Sequence, residues 1–272
     1  MHHREFAPPA ALQDTIKCFW YDRINLGAAP SSFEVQPDGY AEIIFYFGSP
    51  CSIATKQGWQ ALPSPFMVGL LNQPVHFCAQ NQLEIIAIRC FPWTVFELLG
   101  LPAGNDGVRT VEHPIAQLHA KLAKRMQAGK LDEALAEVEQ YFLNNQQETT
   151  NNQLLSKAGG AMRAAGGTLP VSQVAAAAHA TVRTLERRFK QASGYTVKDV
   201  SGLMRFEQVR NHLWQHPAAS LAGLAHELGY TDQAHLSREF KRYSGTTPAA
   251  FARKAQSRQQ AAGPDFVAFV QA

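Results

Sequence analysis

No stretch of this 272-residue chain approaches the run of about eighteen apolar residues that a membrane-crossing helix needs. The opening MHHREFAPPA lacks the apolar core of a leader peptide, so the expectation is a soluble, cytoplasmic protein with no membrane partner. Cysteine is scarce. Cys18, Cys51, Cys78 and Cys90 are widely spaced, form no CxxC pair and lie in or beside apolar runs, which reads as buried reduced thiols, with a zinc site or a redox sensor as the alternatives. Histidine is thin in the first part: His76 is the only one between His3 and His113, which removes the clustered imidazoles of a metal-binding barrel. A Walker A loop, a GxSxG elbow, a GxGxxG turn and an HExxH helix are all missing. The expectation is therefore no catalytic residue, no metal, no cofactor and no enzyme.

What is present divides the chain. Residues 1–155 carry 10 Lys+Arg against 15 Asp+Glu, and residues 156–272 carry 15 against 7, so a front part of −5 precedes a back part of +8. A basic back half suits a polyanion as partner. From about residue 16 to residue 91 the pattern is strand-like: IKCFWYDRI alternates, YAEIIFYFG, FMVGLL and LEIIAIRCF are short apolar runs, and PDG at 37–39 reads as a turn. Short strands without interleaved helices predict a sandwich or barrel. Beyond Pro92 the period becomes helical. Ile115, Leu118, Leu122 and Met126 share one face, and so do Leu131, Leu135, Val138 and Phe142; this pair could cap the β domain or form a dimer seam. The polar NNQQETTNNQ at 144–153 reads as a linker.

The back half contains one segment twice. TVRTLERRFKQASGYT (181–196) and DQAHLSREFKRYSGTT (232–247) agree at seven of sixteen positions, where about one is expected by chance. In each copy an apolar stripe recurs at helical spacing, Leu185, Phe189 and Ala192 in the first and Leu236, Phe240 and Tyr243 in the second. Each ends in Ser-Gly, as a helix does when the chain must turn left-handed past its C-terminus. A shorter helical pattern precedes each copy. Short helix, turn and longer helix make a helix-turn-helix, and here there are two. Core hairpins would show the same stripes; the opposite faces argue otherwise. Arg183, Glu186, Arg187 and Lys190 occupy the outer side of the first long helix, and Ala234, Ser237, Arg238 and Lys241 the same slots of the second. A basic stripe near a helix N-terminus suits entry into a major groove of double-stranded DNA. Between the units, a helix over 197–215, stopped by Pro217, would span roughly 28 Å and could hold the two readers near the repeat of successive grooves.

LAGLAHELGYTDQAHLSREFKRYSGTTPAAF (221–251) resembles the signature of the AraC/XylS family of bacterial transcription regulators, and the resemblance extends over about 80 residues from Val171 to Phe251. VQPDGYAEIIFYFG, VGLLNQP and RCFPWTVFELLGLP resemble the β-rich N-terminal domain of one branch of that family, with Glu42 at its acidic position. The resemblance implies an α+β chain of two domains: a β-barrel or sandwich-like effector domain over 1–112, a helical connector and linker over 113–153, an all-α double helix-turn-helix DNA-binding domain over 154–256 and a tail over 257–272. The family's base-reading positions fall on Arg183, Glu186 and Arg187, and on Ala234, Ser237 and Arg238. Ala234 can touch only a thymine methyl, so the first helix is expected to carry more base specificity; Arg238 is open between base and phosphate. Where the second turn has Gly229 the first has His179, a residue that tolerates a left-handed conformation.

Trp20, Tyr40, Phe45, Phe47, Trp59 and Trp93 supply aromatic surface for a small-molecule effector pocket in the front domain, or core. Trp20, Tyr40, Glu42, Phe45 and Arg89 are its candidate ligand-binding residues; Glu42 and Arg89 could equally pair with each other across strands at the surface. A second copy of the chain and RNA polymerase are left open as partners. The expected mechanism is a population shift, in which an effector changes how the front domain holds the DNA-binding half. The alternative is a DNA-binding protein with cysteine-based alkyl transfer or redox sensing, for which Cys90 beside Arg89 is the candidate.

Overall fold

The structure is a computed structural model that describes residues 3–101, 103–104, 107–145 and 152–262. Residues 146–151 of the expected linker and 263–272 of the expected tail lie outside the described residues. The front half is built on one antiparallel eight-stranded sheet: β1 (Arg4–Phe6), β2 (Ile16–Val35), β3 (Ala41–Gly48), β4 (Ser52–Thr55), β5 (Gly58–Ala61), β6 (Phe66–Val68), β7 (Val75–Cys90) and β8 (Val108–Thr110). The spatial order is β1-β2-β7-β3-β6-β8, with the β4–β5 hairpin attached to β7. Successive side chains in a strand point to opposite faces. Ile43, Phe45 and Phe47 of β3 and Ile86, Ile88 and Cys90 of β7 therefore face one way, into a core closed by helices, while Ile44 of β3 and Leu83, Ile85 and Ala87 of β7 face a second cluster enclosed by the curling sheet.

The helices covering the first face are short α1 (Val95–Leu98), α2 (Leu118–Gln127) and α3 (Leu131–Asn144). Leu122 of α2 and Leu135, Val138 and Phe142 of α3 are buried there, so this pair caps the sheet. The back half holds α4 (Asn152–Ala164), α5 (Val171–Ala177), α6 (Val182–Ser193), α7 (Val197–Gln215), α8 (Leu221–Glu227), α9 (Gln233–Ser244) and α10 (Pro248–Ala262). α5–α6 and α8–α9 are the two helix-turn-helix units, and α7 is the rod between them. The two turns use His179 at φ +52° and Gly229 at φ +68°, the same left-handed bend made by different residues.

Two elements of the front half carry no periodic signal in the sequence. β2 runs through GAAPSS, a stretch with no alternation, and its outer half is held by pairing with Val75–Ala79 across register shifts at Gly27. The β4–β5 hairpin is mostly exposed and too short to show a period.

Candidate nucleic-acid interface

Each long helix of the repeat is fixed at both ends by its own sequence. The Thr181 side chain accepts from the Thr184 N–H at the start of α6, and the Asp232 side chain accepts from the His235 N–H at the start of α9. Gly194 and Gly245 close them in left-handed conformation at φ +79° and +71°. Leu185 and Phe189 are buried under α6, and Leu236, Phe240 and Tyr243 under α9. The opposite faces are open. Arg183, Arg187 and Lys190 are exposed on α6, as are Ala234, Arg238 and Lys241 on α9, while Glu186 and Ser237 are half-buried.

Glu186 has a structural partner: its carboxylate accepts from the Val197 N–H at 3.3 Å, adding to the Thr196–Asp199 capping box that starts α7. The second unit is tied to the rod by residues that sequence reading did not single out. Arg205 of α7 donates from Nη2 to both carboxylate oxygens of Glu239 at 3.1 Å and from Nη1 to the Gly167 carbonyl at 3.0 Å. Phe206 lies 5.1 Å from Phe240 and 5.3 Å from Tyr243, ring centre to ring centre. A signal existed: Glu239 stands where the first copy has Arg188, a charge reversal inside otherwise matching segments.

The front domain is built into the core of the helical half. Leu70, Phe91 and Trp93 share one buried cluster with Leu185, Phe189, Val200, Leu203 and their neighbours. Trp93 stacks on Phe91 at 5.4 Å and meets Phe189 of α6 at 5.6 Å; Arg163 of α4 lies over the Phe91 ring at 3.9 Å. Two polar contacts cross the same junction. Tyr195 donates to the Leu70 carbonyl at 2.7 Å, and Arg210 of α7 donates to the Pro37 carbonyl at 3.0 Å. Arg210 is 1 % exposed, and burial pulls its pKa down.

The expected turn at 37–39 is thus the point of contact with the rod, and it leads back into a buried polar chain. Asp38 accepts from the Tyr40 N–H at 3.0 Å and lies 3.4 Å from Nη2 of Arg89. Arg89 donates from Nε to Glu42 at 2.8 Å, and Trp20 donates from Nε1 to the same Glu42 oxygen at 3.0 Å. Glu42 and Arg89 are cross-strand partners, as one of the two sequence readings allowed, but both are buried rather than at the surface. Burial pushes the Asp38 carboxyl up to about 7 against the pull of Arg89.

Trp20 and Glu42 also border a cavity of about 40 Å³ on the inner side of the sheet, with Phe33, Tyr46, Phe66 and Phe77 among its walls. The other candidates are elsewhere. Phe45 points to the helix-covered face, as its odd place relative to Glu42 requires; Tyr40 packs at the junction beside Phe91; and Arg89 sits behind Glu42. Of the further aromatics, Phe47 joins Phe45 on the helix-covered side, Trp93 is in the junction and Trp59 is exposed on the β5 hairpin. Cys90 is fully buried and its thiol is driven up by burial and by Glu42; Cys18 is raised to about 11, mainly by burial. That is the reverse of the activation a nucleophilic cysteine needs. Among the described residues no group of three or more His, Cys, Asp or Glu could hold a metal ion, and no helix is long and apolar enough to cross a membrane.

Comparison with known proteins matches the two ends of the chain to different families. Residues 174–254 match the helix-turn-helix domain family, and residues 4–111 match a domain family of unknown function, DUF6597. The HTH-type transcriptional activator RhaS of Escherichia coli is 34% identical over 68 residues, which are 25% of this chain and 24% of that protein, so the match spans about a quarter of the length of these curated relatives. Among solved structures, ToxT from Vibrio cholerae is similar over 86% of this chain and 98% of its own, at 9% identity and a TM-score of 0.45. A regulator from Chromobacterium violaceum, of the AraC-type DNA-binding domain-containing proteins, is similar over 41% of this chain and 94% of its own, at 24% identity and a TM-score of 0.35.

Proposed function

We propose that this chain is a regulator of the AraC family, that it binds double-stranded DNA in a sequence-specific manner and that it regulates transcription in response to a small molecule held by its front domain. The observation that carries this reading is the pair of capped helices, α6 and α9, each buried along one stripe and open along a basic face on either side of one rigid rod. Arg183 and Arg187 are the base readers of the first helix, since an exposed guanidinium can take guanine bidentately. Lys190, Lys241 and Arg238 hold phosphates. Ala234 offers a methyl group to thymine, and Ser237 a hydroxyl from a half-buried position. Glu186, already capping α7, positions the rod more than it reads a base.

The effector acts through the junction. The cavity, the Trp20–Glu42–Arg89–Asp38 chain and the Arg210 contact form a continuous path from the inner face of the sheet to the rod between the readers. A ligand that alters Glu42 biases the docking of the turn at 37–39 on α7 and so the population of DNA-competent molecules. The action takes place in the cytoplasm and no enzymatic step is part of it. A second copy of the chain and RNA polymerase are the protein partners this reading leaves room for.

Selection of bound sequences from a random DNA pool by the purified full chain tests the reading. The expected product is a motif covering about two helical turns per chain, with affinity falling steeply as salt rises. Recovery of no motif would sink it.

A further inference from the structure

The inner cavity differs from an ordinary apolar void in the charge of its wall. Among the described residues that border it, Glu42 is the one acidic or basic side chain, and no lysine, arginine or histidine is among them. Five rings, those of Trp20, Phe33, Tyr46, Phe66 and Phe77, make up much of the remainder. The polar tips of two of these are engaged: Trp20 Nε1 donates to Glu42, and the Tyr46 hydroxyl donates to the Leu62 carbonyl at 2.6 Å. Behind Glu42 stands Arg89, but its positive charge faces Glu42 at 2.8 Å, Asp38 at 3.4 Å and Glu5 at 4.0 Å. Arg89 is thus already engaged by the buried carboxyl groups of Glu42 and Asp38, with Glu5 at the margin.

We propose that this cavity takes a compact apolar molecule whose single polar group donates a hydrogen bond to Glu42, an alcohol or phenol or, better, a protonated amine, and that it rejects carboxylates. An acid entering here would bring a second carboxylate beside Glu42 in apolar surroundings with no cation to receive it, which disfavours the charged form of either group. An ammonium group would meet an acceptor-only wall and aromatic faces that attract cations. The inference rests on the effector reading above and specifies its ligand class.

At about 40 Å³ the cavity holds one or two water molecules, so a ligand must widen it. The β4–β5 hairpin next to the cavity is weakly held to the sheet. β4 meets β7 only through Ser52↔Cys78 and Ile53↔Phe77, and β5 is exposed along its length. Cys51, at the foot of this hairpin, and Phe77, its partner on β7, both border the cavity. Displacing the hairpin breaks few ladder bonds to β7 and frees Cys51 and Phe77 on the cavity wall to move.

The test uses three probes of one size and different head groups, 2-phenylethanol, 2-phenylethylamine and phenylacetate, with the full chain. Thermal shift and calorimetry are expected to show binding of the amine and the alcohol, and at least tenfold weaker binding of phenylacetate. In Glu42→Gln the preference of amine over alcohol is expected to fall tenfold or more. Phenylacetate binding as well as the amine, no binding by any probe, or an unchanged preference in Glu42→Gln overturns the proposal. Should Glu42→Gln not fold, Leu83→Phe fills the cavity without touching its charge and must weaken amine and alcohol alike; unchanged affinities also overturn it. Footprinting of the unliganded chain is read separately. A chain that ranks the probes as stated and binds no DNA sinks the regulator reading alone, whereas a reversed ranking with intact DNA binding sinks only the ligand class.

Discussion

A Cβ built on Gly159 would stand 2.0 Å from Cζ2 of Trp93, so the tryptophan of the front domain occupies the place of a side chain on α4 of the helical half. Gly159→Ala should therefore act in opposite directions on two levels. Alanine favours helix α4 by about 1 kcal/mol. Against the fixed indole it overpacks the junction, at a cost of about 1–3 kcal/mol. The expected outcome is a full chain whose two halves separate: faster proteolytic cleavage between α3 and α4 and a split unfolding transition. Wild-type cleavage rates and a single wild-type transition would show that Trp93 yields without loss.

Arg187 lies in the middle of the exposed face of α6. Arg187→Ala should lower affinity for the selected DNA motif by about 1–3 kcal/mol and relax the preference at one base pair. Lys190→Ala should weaken binding to all sequences alike and lower the salt slope by about one. Binding-site selection repeated with each variant distinguishes them, and an unchanged preference profile for Arg187→Ala would place that residue on the backbone.

Arg205 and Glu239 join the rod to the second reader in a site where both side chains are 14% exposed. Glu239→Ala leaves a mostly buried guanidinium without its carboxylate and should cost about 1–3 kcal/mol in stability by urea unfolding. Its effect on DNA should be local: weakened protection over the half-site read by α9 and retained protection over that read by α6. Equal loss over both half-sites would mean that the pair holds the whole domain rather than one reader.

Asp38 makes the junction sensitive to pH. Its carboxyl is raised in the folded chain from an ordinary 3.8 to about 7, by burial first, with Glu207 and Glu42 adding to the shift and Arg89 and Arg210 opposing it. Between these values the folded chain holds a proton that the unfolded chain releases. The stability this provides is fully present below about 4 and is lost as pH rises through about 7. Asp38→Asn, which keeps an acceptor for the Tyr40 N–H and removes the charge, should flatten the fall in urea midpoint between about pH 4 and pH 7. A slope equal to that of the wild type would assign the pH dependence to other groups.

The helical half was legible almost to the residue. The repeat, its Ser-Gly ends, the left-handed place for His179 and the rod over Val197–Gln215 all follow from short-range rules, because a helix is stabilised by contacts three and four residues apart and by its own caps. The front half was legible only where strands alternate. Grouping Phe45 with Glu42 overlooks the strand period, which places them on opposite faces, and Trp59, read as pocket surface or core, is neither but lies on an exposed hairpin.

The amino-acid sequence by itself determined the two halves, the doubled helix-turn-helix and most residues of its open faces, Glu186 and Ser237 being half-buried, since these rest on periodicity and local backbone chemistry. Tertiary structure alone decided that Trp93 completes the core beside Phe189, that Glu42 and Arg89 pair inside the domain, and that Pro37 meets Arg210 across 173 residues of chain. Contacts between residues so distant in sequence depend on how two finished domains fit against each other, and no local pattern records that fit.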